Sequence, residues 1–536
     1  MDRIERAAAE VFGYDRLRPG QHEAVDAVVG GRDVLAVMST GYGKSAIYQI
    51  AALLIPGATV VVSPLLALQQ EQIEELDETP ATGGAAGVNS LIPERERREA
   101  LEELEHDELE FLFLSPEQLS NPDVLAEVAA AGPSLFVVDE AHLISEWGHD
   151  FRPDYLKLGA VAEAIGRPPL LALTATASPP VRDEIVERLG MRDPEVLVRG
   201  FDRPNIWLGV EHFHEAAAKD RALLARIAAE PKPGLVYAAT RRRAETLAAD
   251  LREAGVDAVH YHGGMRKPDR LEAQERFMEG RVDVVVATTA FGMGVDKPNV
   301  RFVFHSEPSD SVDSYYQEIG RAGRDGEPAR AILFHRSEDL GLRRFFAGGG
   351  QVDEEQIRVV AETVAQRGSP VPAGELREEL GLSQSKLTTA VSRLEDVGAV
   401  RVMATGEVAP VDLDGLDEKV DEAVSEQGDR EEFDRSRVQM MGAYADARTC
   451  RREFVLTYFG ERFQPPCGRC DNCDAGLVSA VSEGPFPAGS RVVHAKWGGG
   501  LVQRYEEGQV VVLFDSVGYK KLGLDIVRER DLLKPE

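Results

Sequence analysis

Val137–Pro153 reads VVDEAHLISEWGHDFRP, and the rest of the chain is best read outward from it. β-Branched residues run into Asp139 and Glu140, and an aromatic-rich loop follows within ten residues. An acidic pair at the C-terminal end of a buried parallel strand suits a metal ligand and a catalytic base. Asp139 is expected to hold Mg2+ on a nucleotide, and Glu140 to orient and deprotonate an attacking water. In the loop, Trp147, His149, Phe151 and Arg152 supply planar groups that can stack on bases. A surface acidic turn followed by core aromatics would look the same locally, so the flanking sequence has to decide.

Upstream, Asp33–Met38 (DVLAVM) reads as a short buried strand, and STGYGKS leads from it into a helix. Gly41 and Gly43, with Thr40 between strand and glycines, let the backbone fold around phosphates at a helix N-terminus. Lys44 is expected to contact the β and γ phosphates and Ser45 to complete the Mg2+ shell. A strict phosphate loop has glycine where Met38 stands. Earlier still, FGYDRLRPGQ (12–21) places Tyr14 and Arg18 where either can stack on a base, and Gln21 can pair with an adenine edge.

The following segments, ATVVVSP, LEFLFLSP, SLFVVDEAH and LLALTATA, alternate with helical stretches. Such alternation predicts a parallel sheet wrapped by helices. Ser63-Pro64, Ser115-Pro116 and Thr174-Ala175-Thr176 punctuate strand ends, where ligands bind in open α/β sheets. A second series begins at GLVYAATRRRAETLAADL and ends at SYYQEIGRAGRDG. Two such lobes would leave a cleft needing groups from both sides. Arg324 is the natural arginine finger, with Arg321 and Gln317 beside it and Asp296 toward the ribose.

Residues 1 to roughly 345 resemble the two-lobed motor of RecQ-type DNA helicases of superfamily 2. RPGQ, TGYGKS, VVSPLLAL, DEAH, EWGHDFRP and LTATA stand in the family's order, and GRAGRDG closes the set. WGHDFRP after DEAH discriminates most, and the superfamily's phosphate loop accepts Met38. The resemblance implies two tandem RecA-like lobes and dependence on ATP and Mg2+. It also implies 3′ to 5′ movement on single-stranded DNA, unwinding of duplex, and a place in DNA repair and recombination. Gln70 stands where many relatives have lysine, and Glu146 where they have glutamine; both weaken attraction to phosphates.

The chain has 536 residues, enough for three to four domains, and at 43% hydrophobic and 29% charged it reads as globular. Its formal net charge of −31 argues against a body coated with nucleic acid. A local basic track remains compatible with it, through clusters such as Arg241–Arg243, Arg266-Lys267 and Arg343-Arg344. No apolar run approaches a membrane span, and MDRIERAAAEVF lacks a signal-peptide core, so a cytoplasmic protein without membrane contact is expected.

All four cysteines lie between Cys450 and Cys473. Cys450, Cys467, Cys470 and Cys473 suit a closed, structural, tetrahedral Zn2+ site, with redox sensing the alternative. CRREFVLTYFGE between them resembles the RecQ zinc module. Before it, residues 352–412 read as three helices and a hairpin, resembling a winged helix. Leu387, Val391 and Leu394 lie on one face of its third helix, and Lys386, Thr388, Thr389 and Arg393 on the other. DNA contact and a purely structural role are both open for it.

The expected architecture is therefore α/β: lobe 1 over 1–204, lobe 2 over 205–347 and the winged helix over 352–412. An acidic helical connector (413–436), the zinc module (437–478) and a small C-terminal β-barrel (485–536) follow. The barrel resembles the Tudor- or SH3-like module of UvrD-type helicases. That implies RNA polymerase as a protein partner and little effect of its removal on unwinding; a merely stabilising barrel is the alternative. For the whole chain, the rivals to a DNA helicase are an RNA helicase, a translocase that does not unwind, and a regulatory adaptor.

Overall fold

The computed structural model describes residues 2–536 except 65, 80–81, 90–91, 107, 146–151, 293–296, 342, 344–351, 413–414, 462, 478–483, 488 and 507. The chain divides into two compact units, Met1–Gly200 with Gly350–Asp429, and Phe201–Gly349 with Arg430–Glu536.

The first unit is built on seven strands: β1 (Val34–Met38), β2 (Thr59–Val62), β3 (Ala85–Val88), β4 (Phe111–Leu114), β5 (Leu135–Val138), β6 (Leu170–Thr174) and β7 (Glu195–Arg199). Their order is β3-β4-β2-β5-β6-β1-β7, and every pairing is parallel. Strands β1, β2, β4, β5 and β6 are buried throughout. Helices cover both faces of such a sheet, which is why these strands read as unbroken apolar runs rather than alternations.

The same unit contains helices Glu354–Arg367, Ala373–Leu380 and Gln384–Asp396, and a small antiparallel sheet of β14 (Val371–Pro372), β16 (Glu407–Pro410) and β15 (Val400–Val402). This is the winged-helix order. Leu387, Val391 and Leu394 enter its core as the helical spacing predicts. Arg393 does not face solvent as expected: it is 5% exposed and pairs with Asp396 at 3.6 Å. The reason is docking. Arg188, ending the helix Pro179–Arg188, reaches Glu395 at 3.4 Å, Ser392 at 3.2 Å and Asp396, so this end of the third helix is covered by the larger sheet's layer.

The second unit carries six parallel strands, β8 (Ile206–His212), β9 (Gly234–Tyr237), β10 (Ala258–Tyr261), β11 (Val284–Ala287), β12 (Phe302–His305) and β13 (Ala329–His335), in the order β10-β11-β9-β12-β13-β8. Its C-terminal part is an antiparallel sheet of β17 (Arg491–His494), β18 (Gly498–Glu506), β19 (Gln509–Phe514), β20 (Gly518–Gly523) and β21 (Leu533–Pro535), ordered β20-β19-β18-β17-β21 around a small core of its own.

The acidic connector is not a separate element. One helix of 31 residues, Leu416–Asp446, runs through the expected boundary at 436/437. Its later turns bind the C-terminal sheet: Ser436 Oγ accepts from Tyr519 N at 3.1 Å, and Glu432 pairs with Lys520. Among the described residues, no helix is long and apolar enough to cross a membrane.

Candidate nucleotide and metal sites

The first site lies at the C-terminal edge of the neighbouring strands β2, β5, β6 and β1. The loop after β1 turns at Gly41 (φ 76°) and Gly43 (φ 83°), a left-handed backbone that glycine adopts without strain. Ser45 opens the helix Ser45–Ala52. Lys44 Nζ donates to Met38 O at 3.1 Å, which folds its side chain back over the loop.

A second layer of contacts braces this loop. Arg18 Nη1 donates to Gly41 O at 2.6 Å, and Gln21 Nε2 donates to Tyr42 O at 3.1 Å and to Gly43 O at 2.8 Å. Gln21 Oε1 accepts from Arg18 N at 2.7 Å, so both ends of this amide are engaged within the protein. A Cβ on Gly43 would stand 2.9 Å from Gln21 Nε2 and displace that amide, while φ 83° strains any side chain there. Tyr14 is half-buried and stacks on Phe12, with ring centroids 5.9 Å apart.

After β5, Asp139 N donates to Val62 O at 2.9 Å, and Glu140 N donates to Asp139 Oδ1 at 2.9 Å. Burial first, and the neighbouring Glu140 charge second, push the Asp139 pKa up to about 7, with Lys44 opposing. Glu140 has φ 50° and ψ 44°, a left-handed conformation uncommon for a side chain of this size. Its Oε2 lies 3.3 Å from His142 Nδ1, which also contacts Thr174 Oγ1 at 2.9 Å. Tyr155 OH donates to Asp139 O at 3.0 Å. The His142–Thr174 link was not anticipated, although DEAH and TAT at the ends of adjacent strands could have suggested it.

Of the base-stacking loop, Trp147, His149 and Phe151 lie outside the described residues, as does Asp296. Arg152 is described: its N donates to Leu143 O at 2.8 Å and its Nη1 to Pro64 O at 3.3 Å. It therefore ties the loop's end to the Ser63-Pro64 turn after β2.

In the second unit, Gln317, Arg321 and Arg324 lie along the helix Val312–Ile319 and the turn that follows it. That turn is held from behind by Arg203, which donates to Gly320 O at 3.0 Å and to Ala322 O at 2.8 Å. Asn205 adds a bond to Gly323 O at 2.7 Å. Gly323 has φ 56°, and a Cβ there would meet Asn205 Nδ2 at 2.5 Å. Arg321 is buried beside Tyr237, whose hydroxyl pKa burial raises to about 12. The Arg203–Asn205 brace was also missed, because it arrives from residues over a hundred positions away. Of the expected basic clusters, Arg243 is committed to Asp220 and to Glu307 (3.3 Å), and Arg266 to Asp269 (2.8 Å).

The thiol sulfurs of Cys450, Cys467, Cys470 and Cys473 all lie within 4.8 Å of one another, with Cys467 and Cys473 at 3.7 Å. Zn–S bonds of about 2.3 Å place tetrahedral sulfurs about 3.8 Å apart, so these residues fit the ion. Cys450 and Cys470 begin the helices Arg451–Tyr458 and Asp471–Asp474. Around them, Arg451 Nε donates to Asp471 Oδ1 at 2.6 Å, and Asn472 Nδ2 donates to Ala447 O at 2.7 Å and Thr449 O at 2.8 Å.

A DEAD/DEAH box helicase profile matches residues 18–185, a helicase conserved C-terminal domain residues 218–326, and a RecQ zinc-binding profile residues 395–474. The chain is 33% identical over 481 residues to the probable ATP-dependent DNA helicase RecS of Bacillus subtilis, covering 89% of this chain and 93% of that protein. It is 32% identical over 493 residues to the ATP-dependent DNA helicase RecQ of Synechocystis, covering 88% of this chain and 98% of that protein. The RecQ of Pasteurella multocida is 34% identical over 466 residues, and there the match covers 86% of this chain but 61% of the relative. In fold alone, the chain is similar to the DUF1998 helicase MrfA bound to DNA and AMPPNP (TM-score 0.53, 18% identity, 77% of this chain and 62% of that one). The Mycobacterium smegmatis helicase Lhr bound to ssDNA and AMP-PNP is similar to the same degree (TM-score 0.51, 22% identity, 80% and 62%).

Proposed function

The chain belongs to the RecQ-type DNA helicases, and from that premise we propose that it hydrolyses ATP to move 3′ to 5′ on single-stranded DNA and unwind duplexes. Repair and recombination in the cytoplasm are the proposed setting. The observation that carries the proposal is the convergence of Lys44, Ser45, Asp139, Glu140, His142 and Thr174 at the ends of neighbouring strands in one parallel sheet.

In this proposal the glycine-turned loop cradles the phosphates, Lys44 exchanges its bond to Met38 O for a phosphate oxygen, and Thr40 lines the same loop. Asp139 and Ser45 would hold Mg2+, which would supply positive charge to offset that of the phosphates. A carboxyl with its pKa near 7 beside a second carboxylate fits a divalent cation, which relieves their repulsion. Glu140 takes the proton of the attacking water. His142, joined to both Glu140 and Thr174, positions that carboxylate and links it to the strand end at β6. Gln21, Arg18 and Tyr14 form the base-side wall, which requires Gln21 to trade a loop carbonyl for the adenine. Arg324 supplies transition-state charge, with Arg321 and Gln317 beside it and Asp296 on the ribose. Trp147, His149, Phe151 and Arg152 couple the DNA strand to hydrolysis, and the four cysteines hold a structural Zn2+.

RNA polymerase as a partner of the C-terminal sheet stays a proposal resting on resemblance. Lys520 on that sheet is bonded to Glu432 and is not a free basic group for such a contact. Exposed Val493 and Ile526 offer apolar surface instead.

The direct test of substrate class is phosphate release with single-stranded DNA or RNA of one sequence. Stimulation by DNA of at least tenfold over RNA is expected. Stronger stimulation by RNA would reject the DNA reading.

A further inference from the structure

Apart from the cysteines, one other group of metal-ligating side chains meets among the described residues: His212, His335 and Asp446 in the second unit, whose ligand atoms all lie within 4.8 Å of one another. The sheet sets up the pair of imidazoles. His212 ends β8, His335 ends β13, and the parallel register places them directly opposite each other, so both side chains leave the same face. Their ring centroids are 5.5 Å apart at 88°, edge to face. Phe213 N donates to His335 O at 2.9 Å, which extends the ladder one residue further and fixes this register. Asp446 is the last residue of the helix Leu416–Asp446 and brings a carboxylate to the two rings.

His335 is 1% exposed, and neither of its ring nitrogens has a hydrogen-bond partner. A buried imidazole with both nitrogens unpaired is costly in a folded protein unless something binds there. The carboxylate nearby that could have served it is committed elsewhere: Asp339 accepts from the buried Lys219 at 2.8 Å. Asp446 has no ion pair among the described residues and stays available to the rings. Two imidazoles and one carboxylate are a donor set for a borderline divalent cation, zinc above magnesium or calcium.

We infer that His212, His335 and Asp446 form a second Zn2+ site, separate from the four cysteines, which pins the end of the long helix to the strand ends of β8 and β13. Asp446 stands four residues before Cys450. The second ion would thus hold the entry to the cysteine module, while exposure of His212 and Asp446 leaves its remaining coordination to solvent.

The experiment uses the full chain with zinc retained on its cysteines, titrated with Co2+. One equivalent should bind with weak visible d–d absorption and without the near-ultraviolet thiolate bands that cobalt on cysteines produces. His212→Ala and Asp446→Ala change exposed residues and should keep the fold. Each should lower Co2+ affinity by at least about 100-fold, the upper end of what loss of a group that merely supports a ligand costs. Added Zn2+ should also raise the melting temperature of the parent chain and not of these variants. No Co2+ uptake beyond the cysteine site would overturn the assignment, as would uptake with thiolate bands or uptake unchanged in both variants.

Discussion

Glu140 leaves β5 with φ 50°, a conformation that costs a glutamate on the order of 1–3 kcal/mol and persists where the surroundings impose it. Its neighbours do so: Asp139 Oδ1 accepts the Glu140 N–H, and His142 lies against its carboxylate. Glu140→Gln keeps this shape and removes only the base. ATP binding should therefore stay within about twofold of the parent while turnover falls roughly 10²–10⁴-fold. Near-parent phosphate release in this variant, measured beside nucleotide affinity, would place the chemistry elsewhere. Asp139 carries a second prediction. Its pKa is about 7 in the folded chain, raised by burial and by Glu140, against about 3.9 unfolded. The folded state therefore holds a proton that the unfolded state releases between these values, and ionised Asp139 destabilises the nucleotide-free chain at pH 8. Asp139→Asn should melt at a higher temperature than the parent at pH 8, and the difference should shrink as pH falls from 7 toward 4. A pH-independent difference would contradict this. As candidates, these two residues were legible in DEAH read together with its flanking motifs. The link from Glu140 through His142 to Thr174 was not, because it depends on β5 and β6 being neighbours in the sheet.

At the scale of elements, the strands were readable because sheets buried on both faces need apolar runs, and glycines mark the turns that touch ligand. What local pattern could not show was docking by single side chains. Arg188 is 10% exposed and lies between Glu184, Glu395 and Asp396 from two parts of the chain. Nothing in the spacing of SKLTTAVSRLED tells that its last turn is covered. Arg188→Ala would take the cation from buried Glu184 and part-buried Glu395, while Asp396 keeps Arg393, a loss of about 1–3 kcal/mol. Amide exchange in residues 373–412 should then quicken while basal ATP hydrolysis is kept; unchanged exchange would mean the contact is incidental. The connector was misjudged for a related reason. Its acidic residues obscure the apolar stripe, so the continuation of the helix into Phe433, Met440, Met441 and Tyr444, all buried, was not apparent. For the zinc module the spacing was sufficient, and Cys470→Ser should give chain that purifies with zinc lost from this site and with a lower melting temperature.

At the scale of the molecule, the C-terminal sheet is more firmly attached than its distinct composition suggested. Tyr519 stacks on Tyr458 at 5.3 Å, Arg504 lies 3.7 Å over Phe454, and Phe433 packs near Gly518. Removal of 485–536 would uncover Tyr458, Phe454 and Phe433, and each large apolar side chain is worth roughly 1.5–3 kcal/mol of burial. The truncated chain should therefore melt well below the parent, as the stabilising alternative for the barrel implies. An unchanged melting temperature would show the sheet to be a free appendage. The proposed activity, DNA unwinding with 3′ to 5′ polarity, is tested most directly by strand displacement. Duplexes with a 3′ tail, a 5′ tail or blunt ends are incubated with ATP and the chain, beside the Glu140→Gln variant. The expected result is displacement from the 3′-tailed duplex, little from the other two, and none with Glu140→Gln. Equal displacement from the 5′-tailed duplex, or none from any substrate under vigorous DNA-stimulated hydrolysis, would contradict it.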